Sequence, residues 1–295
     1  MPTISSNSTN SADSTPVFQI GRHQCPADRC LIMGILNITP DSFSDGGQHF
    51  DRDRAIAAAH QMVDDGTDLI DIGGESTRPG AQPVSVQEEC DRVLPVIEAL
   101  QGSGVPLSLD SRRAVVVQQA IAVGIDLVND VDGFRSAEMQ ALVPQILSQR
   151  LMVCVMHMQG QPQTMQVDPH YDDVVSEVYG FLMTQRDRLM ALGLEQSQIL
   201  LDPGFGFGKT LAHNQALFGA IAQQSKVLPL LIGVSRKRMI GQLSGRGEDR
   251  AADRLGGSIA AAVLAAQAGA RVVRVHDVRQ TVDALRVSRA FSVNH

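Results

Sequence analysis

The stretch Leu31-Ile-Met-Gly-Ile-Leu-Asn37 is an apolar run of strand length that stops on a polar residue, and it is the first of eight such runs. The others are Asp68 to Ile72, Val105 to Leu109, Ile125 to Val128, Leu151 to Met156, Gln198 to Leu201, Leu228 to Val234 and Arg271 to Val275. Their apolar content is nearly continuous, as expected of parallel strands buried on both faces. Between them lie segments with apolar residues three and four apart, such as Ile56, Ala59, Met62 and Val63, which read as amphipathic crossover helices. Several close on a glycine shortly before the next run (Gly66, Gly124, Gly193, Gly269), where a left-handed residue ends a helix. Eight strand–helix units with right-handed connections close most simply into an α/β fold, the (β/α)8 TIM barrel. A doubly wound open sheet is the alternative.

The chain has 295 residues, 43% of them apolar and 19% charged, enough to build one large core. Residues 17–295 are therefore expected to form a single domain. Residues 1–16 are rich in Ser, Thr and Asn with little to bury, and read as a disordered tail. With 32 acidic against 25 basic residues the net charge is −7, which speaks against a nucleic-acid binder. Aromatics are 4% of the chain and Trp is absent, so platforms for stacking bases are scarce. No run approaches the ~18 apolar residues of a membrane span. Cys25, Cys30, Cys90 and Cys154 form no C-x-x-C pair, and no secretory leader is evident, so a reduced cytoplasm is the expected location.

Each run ends at or next to a polar residue: Asn37, Asp71, Asp110, Asn129, His157, Asp202, Ser235 and His276. In a barrel these converge on one mouth, the face from which this fold builds active sites. One such residue is ordinarily a helix cap or Asx turn; eight in register point to a site. Asp110, Asp202 and Asn129 suit a flat heterocycle with N–H donors and ring-nitrogen acceptors, such as a purine or pterin. Ser235, Arg236 and Lys237 follow the seventh run, and Arg274 and His276 alternate on the eighth, where barrels commonly hold phosphate. Pairing of these cations with Asp71, Glu75 or Asp277 is the competing reading.

Asp202-Pro-Gly-Phe-Gly-Phe-Gly-Lys-Thr210 is not a nucleotide-triphosphate loop, because Pro203 stands where that motif needs Gly. Its glycines instead let backbone approach a ligand, with Phe205 or Phe207 as an apolar wall. The polar loops after the first two runs each mix glycine, hydroxyl and charged residues, and the first carries Phe43; both read as lids. His49, His157, His213 and His276 lack zinc-site spacing. A hard cation carried by phosphate oxygens, with Asn37 as a protein oxygen, fits better.

Met33-Gly-Ile-Leu-Asn-Ile-Thr-Pro-Asp-Ser-Phe-Ser-Asp-Gly-Gly47, Asp71-Ile-Gly-Gly-Glu-Ser-Thr-Arg-Pro-Gly80, Asp202-Pro-Gly-Phe-Gly-Phe-Gly-Lys209, Gly233-Val-Ser-Arg-Lys237 and Arg274-Val-His-Asp-Val278 resemble the motif set of the dihydropteroate synthases. The resemblance implies a transferase of folate biosynthesis on a TIM barrel, usually a homodimer, that uses Mg2+. It joins p-aminobenzoate to a dihydropterin methylene and expels diphosphate. It implies a pterin pocket of Asp110, Asn129, Met156, Asp202, Lys237 and Arg274, with Asp110, Asp202, Lys237 and Arg274 as the catalytic set. Diphosphate falls to Asn37, Thr77, Arg274 and His276, with the metal on Asn37. The p-aminobenzoate walls are Phe43, Thr77, Pro79, Phe207 and Lys237, and Asp41, Ser42, Phe43, Asp45 and Arg78 form the lid. Arg238 departs from the pattern, since many members carry Ser there, so the contact to the aminobenzoate carboxylate differs. A pterin-binding methyltransferase subunit and a non-catalytic pterin binder are the rival classes; diphosphate binding separates the first from a synthase, and turnover the second.

Overall fold

A computed structural model of the protein describes residues 17–39, 48–76, 82–161, 164–245 and 250–292. Met1–Pro16, expected as a tail, lies outside the described residues. Two short strands, β1 (Val17–Ile20) and β2 (His23–Pro26), pair antiparallel. The eight expected runs then appear as β3 (Leu31–Asn37), β4 (Leu69–Gly73), β5 (Leu107–Asp110), β6 (Leu127–Asp130), β7 (Met152–Met156), β8 (Ile199–Asp202), β9 (Leu231–Ile232) and β10 (Val272–Val275). They form one parallel sheet in the order β8-β7-β6-β5-β4-β3-β10-β9. A parallel bridge between Leu201 and Leu230, with the Leu201 N–H donating to the Pro229 carbonyl at 3.0 Å, joins the two ends. The sheet is thus a barrel and not an open, doubly wound layer.

The helices α1 (Gln48–Asp64), α2 (Val86–Ala99) and α3 (Ala114–Val123) make the first three crossovers. Two crossovers are not single helices as expected. That from β6 to β7 is α4 (Ala137–Gln140) plus α5 (Val143–Ser148), with Pro144 inside the first turn of the second. After α6 (Val174–Ala191) and α7 (Leu211–Gln224), the return from β9 runs through α8 (Arg238–Leu243), a 3-10 turn at Ala251–Arg254 and α9 (Leu255–Gln267). α10 (Val278–Ser292) closes the ring. Gly66, Gly124, Gly193 and Gly269 have φ of +92°, +112°, +110° and +93°, the left-handed geometry that returns the chain to the sheet.

Alternation along each strand divides the core. Ile32, Leu36, Ile70, Ile72, Val153, Val155, Leu201 and Val273 face outward and pack under the helices in one large cluster. Their strand neighbours Leu31, Met33, Leu69, Leu127, Met152, Cys154, Leu200, Leu231 and Val272 fill the lower barrel. Each such fully buried side chain contributes ~1.5–3 kcal/mol by leaving water. Ile20 and Cys25 of the hairpin belong to the inner cluster, so β1 and β2 stop the N-terminal end of the barrel. Higher up the same inward positions turn polar: Asp71 follows Leu69, Asn129 follows Leu127, Asp202 follows Leu200 and Arg274 follows Val272. The bottom is sealed by hydrocarbon and the top is charged.

Candidate active site

At the C-terminal ends of the strands lies a cavity of about 700 Å³. Asn37, Asp110, Phe207, Lys237, Arg274 and His276 line it together, although more than two hundred residues separate the first from the last. Asn129, Met156 and Asp202 are buried in the barrel beneath the mouth. Gly233 fits between two of these groups: a Cβ there would stand 3.8 Å from Arg274 Cβ and 3.9 Å from Asp202 Oδ2. Gly73 similarly separates Asn37 from Asp110, with 3.6 Å to an atom of each.

Arg274 organises the interior. Its Nε donates to Asp71 Oδ2 at 2.6 Å and its Nη2 to Asp110 Oδ2 at 2.8 Å. Asp71, with no solvent exposure, also accepts from Ser108 Oγ at 2.5 Å and from Asn129 Nδ2 at 3.1 Å. Burial opposes the Arg274 charge, but Asp71 and Asp110 outweigh it and hold the guanidinium well above its ordinary pKa. Burial pushes the Asp110 carboxyl up to about 7 against the pull of Arg274. Asp202 is likewise raised by burial, with Lys237 opposing, and it accepts from the Gly204 N–H at 2.7 Å. Lys237 is lowered to about 8 by burial, donates to the Phe205 carbonyl at 2.6 Å, and sits 4.6 Å from the centroid of the Phe207 ring. Carboxylates and cations whose charged states are all costly to bury gain from a polar ligand that supplies partners.

Not every strand-end residue reaches the mouth. His157 is buried on the side of α6, edge-on to Phe181 at 5.1 Å, and its Nδ1 meets Lys209 Nζ at 3.0 Å. Burial, reinforced by the Lys209 charge, lowers its pKa to about 3, so it stays neutral. Lys209 is committed to His157 and the Phe207 carbonyl at 3.0 Å, which braces the glycine loop instead of meeting phosphate. Arg236 is not a ligand candidate either: its Nε and Nη2 bind Asp277 at 3.0 and 2.5 Å, the competing reading for this cation. Arg238 opens α8, lines the cavity, and makes no ion pair among the described residues. Asp41, Ser42, Phe43, Asp45, Thr77, Arg78 and Pro79 lie outside the described residues; Thr39 and Ser76, which precede those loops, line the cavity.

Asp71 enters the sequence reading as a strand-end residue and as a competing partner for the nearby cations, and its pairing with Arg274 fits that second reading. A charged residue in the middle of an apolar strand, at the same inward phase as Asp110 and Asn129, was the available signal that it neutralises something buried.

A family model described as pterin binding enzyme matches residues 33–276. A dihydropteroate synthase of Neisseria meningitidis serogroup B is 47% identical over 284 residues, covering 94% of this chain and 98% of that protein. This chain belongs to the dihydropteroate synthase family. Among solved structures, the Xanthomonas albilineans dihydropteroate synthase with 4-aminobenzoic acid superposes with a TM-score of 0.87 at 42% identity, covering 96% of this chain and all of that one. The same organism's dihydropteroate synthase in complex with 7,8-dihydropteroate gives a TM-score of 0.84 at 40% identity over 95% of this chain and all of that one. The relatives are synthases and not methyltransferase subunits, and turnover is what separates a synthase from a non-catalytic pterin binder.

Proposed function

We propose that the protein is a dihydropteroate synthase, condensing (7,8-dihydropterin-6-yl)methyl diphosphate with p-aminobenzoate to give 7,8-dihydropteroate and diphosphate. The observation that carries this reading is the gathering of acids and cations at one cavity, Asp110, Lys237 and Arg274 lining it and Asp202 buried beneath. Asp110, Asn129 and Asp202 accept from and donate to the edges of the pterin, and Met156 packs beneath it. Arg274, fixed by Asp71 and Asp110, offers a planar guanidinium to the ring face. The anion is held by Arg274 and His276, with Asn37 and Thr77 beside it.

The methylene–oxygen bond breaks with its electron pair leaving on diphosphate, and the electron-rich dihydropterin spreads the resulting positive charge. The neutral amine of p-aminobenzoate then forms the carbon–nitrogen bond and sheds a proton to water. No strong base is needed, so orientation and charge stabilisation supply the catalysis. Phe207, Pro79 and Phe43 form the walls for the benzene ring, and Lys237 and Arg238 face its carboxylate. The resemblance assigns Asp41, Ser42, Phe43, Asp45 and Arg78 to a lid, whose role would be to exclude water that captures the cation.

Mg2+ fits the donor set, because the Asn37 carboxamide lines the cavity and makes no hydrogen bond of its own among the described residues. The chemistry supplied by the bound ion is neutralisation of charge on the departing diphosphate. The protein acts as a homodimer, supported by Leu264, Val287 and Phe291, which stand exposed on α9 and α10. It works in the cytoplasm, in keeping with four unpaired cysteines. No described helix is long and apolar enough to cross a membrane.

Incubation with the pterin diphosphate and p-aminobenzoate, with and without Mg2+, tests the reading. Dihydropteroate should form in the presence of the ion. Absence of product at micromolar enzyme refutes it.

A further inference from the structure

A second cavity, of about 680 Å³, lies at the opposite end of the barrel, where the chain enters β3, β4 and β10. Four guanidinium groups line it, from Arg29, Arg271, Arg286 and Arg289, against the single carboxylate of Asp28. On a chain whose net charge is −7 this is a local excess of the opposite sign.

Among the described residues only one of the four forms an ion pair. Arg29 forms a paired contact with Asp68, at 2.6 and 2.5 Å. Arg271 is held by the neutral carbonyls of Ala27 and Arg29, at 2.8 and 3.2 Å, and of Pro26, and its guanidinium lies 4.3 Å from the centroid of Phe18. Among the described residues it pairs with no carboxylate, and its buried Nε–H has no acceptor. Arg286 and Arg289 have neither a hydrogen bond nor an ion pair among the described residues. Arg286 Nη2 reaches to 3.8 Å from the Cβ position of Gly66, so its head lies against the cavity wall. The two residues share a face of α10 with Val282 and Leu285, which together with Ile32 give the cavity an apolar wall. Val287 and Phe291 lie on the other side of that helix, so the proposed dimer surface and the cavity use different residues.

We propose that this basal cavity binds a phosphorylated nucleoside, with the phosphates on Arg286 and Arg289 and the ring against Ile32, Val282 and Leu285. The guanidiniums of Arg286 and Arg289, without an ion pair among the described residues, match phosphate oxygens by forked hydrogen bonds, while Arg271, held by backbone carbonyls, adds its charge beside them. The volume is that of a small-molecule site and far exceeds what inorganic phosphate occupies, and the apolar wall calls for a ring. The site is separate from the mouth, so its occupancy is independent of the condensation chemistry.

Titration calorimetry of the full chain with metal-free ATP, inorganic triphosphate and adenosine tests this. ATP should bind at least about tenfold more tightly than triphosphate, and adenosine should give no heat. The Arg286→Glu/Arg289→Glu variant should lose at least about tenfold in ATP affinity while condensing its substrates at the normal rate. Arg286→Gln and Arg289→Gln serve as milder exposed-site variants if the double one folds poorly, and each should weaken ATP binding. Unchanged ATP affinity in these variants, equal affinity for triphosphate, or no binding by any probe at millimolar concentration overturns the proposal.

Discussion

Arg274 Nε donates to Asp71 Oδ2 across 2.6 Å inside the barrel, at a carboxylate with no exposure to solvent. The cation that is to face substrate is thus fixed from below by an anion that substrate never needs to touch. Asp71→Ala leaves a buried guanidinium half neutralised, and removing one partner of such a pair costs about 3–5 kcal/mol. Thermal denaturation and steady-state kinetics should show both a lower Tm and a kcat/KM reduced by roughly a hundredfold. Wild-type values for both would mean that Asp110 alone holds Arg274.

Asp202→Ala should weaken pterin binding far more than it alters the response to p-aminobenzoate. Losing a buried, charge-assisted acceptor is worth about 2–3 kcal/mol, or roughly a hundredfold in affinity. Calorimetry with the pterin that returns an unchanged Kd removes Asp202 from the pocket.

The pH profile follows from burial. Asp110 is pushed up to about 7 and Lys237 brought down to about 8, so both are charged only between those values. As pH falls through about 7 the carboxyl takes a proton and stops accepting from the pterin; as pH rises through about 8 the ammonium is lost. A plot of kcat/KM should therefore be bell-shaped with a narrow top. Stability has the opposite slope on the acid side. The folded state keeps the Asp110 proton up to about 7 while the unfolded chain releases it near 3.8, so this group's contribution declines as pH rises between the two. A rate profile without an acid limb near 7 contradicts the assignment.

Phe207→Ala removes the ring beside the Lys237 ammonium and one wall of the second substrate's position. KM for p-aminobenzoate should rise about tenfold while the affinity for the pterin changes little. An equal effect on both substrates would place Phe207 on the pterin instead.

Gly204 has φ of +67°, and a Cβ there would stand 1.9 Å from the His157 carbonyl oxygen. Gly204→Ala must therefore move either the glycine loop or the end of β7, beyond the ~1–3 kcal/mol of left-handed strain alone. Chemical denaturation should show a loss larger than that range. A near-neutral result would reveal unexpected give in this loop.

The barrel was legible because eight runs of buried aliphatic residues recur with helical segments between them, and each ends on a polar group. The glycine loop and the basic ends of the last two strands stood out for the same reason, since their chemistry is written within a few residues. What distance creates was less visible. The run Leu228 to Val234 pairs over only Leu231–Ile232, since its earlier part crosses to Leu201 at the seam. His157 matched the strand-end pattern but turns to the helix side, where Lys209 and Phe181 hold it. The hairpin at Val17–Pro26 has too few apolar residues to announce itself, and it is held by the barrel that Ile20 and Cys25 enter. Pairing of the basic strand ends with Asp71 or Asp277 was a readable alternative, but which cation meets which acid depends on encounters such as that of Arg274 with Asp71 across 203 positions.

The hairpin stopper has a kinetic corollary. A vessel corked at its base has one doorway, so the guest seated deepest has to arrive before its companion and cannot depart past it. Seated as proposed, with the pterin on Asn129 and Asp202 beneath the mouth and the aminobenzoate against Phe207 on the cavity wall, the two reactants should queue in a compulsory order, and the joined product should back out through the same opening.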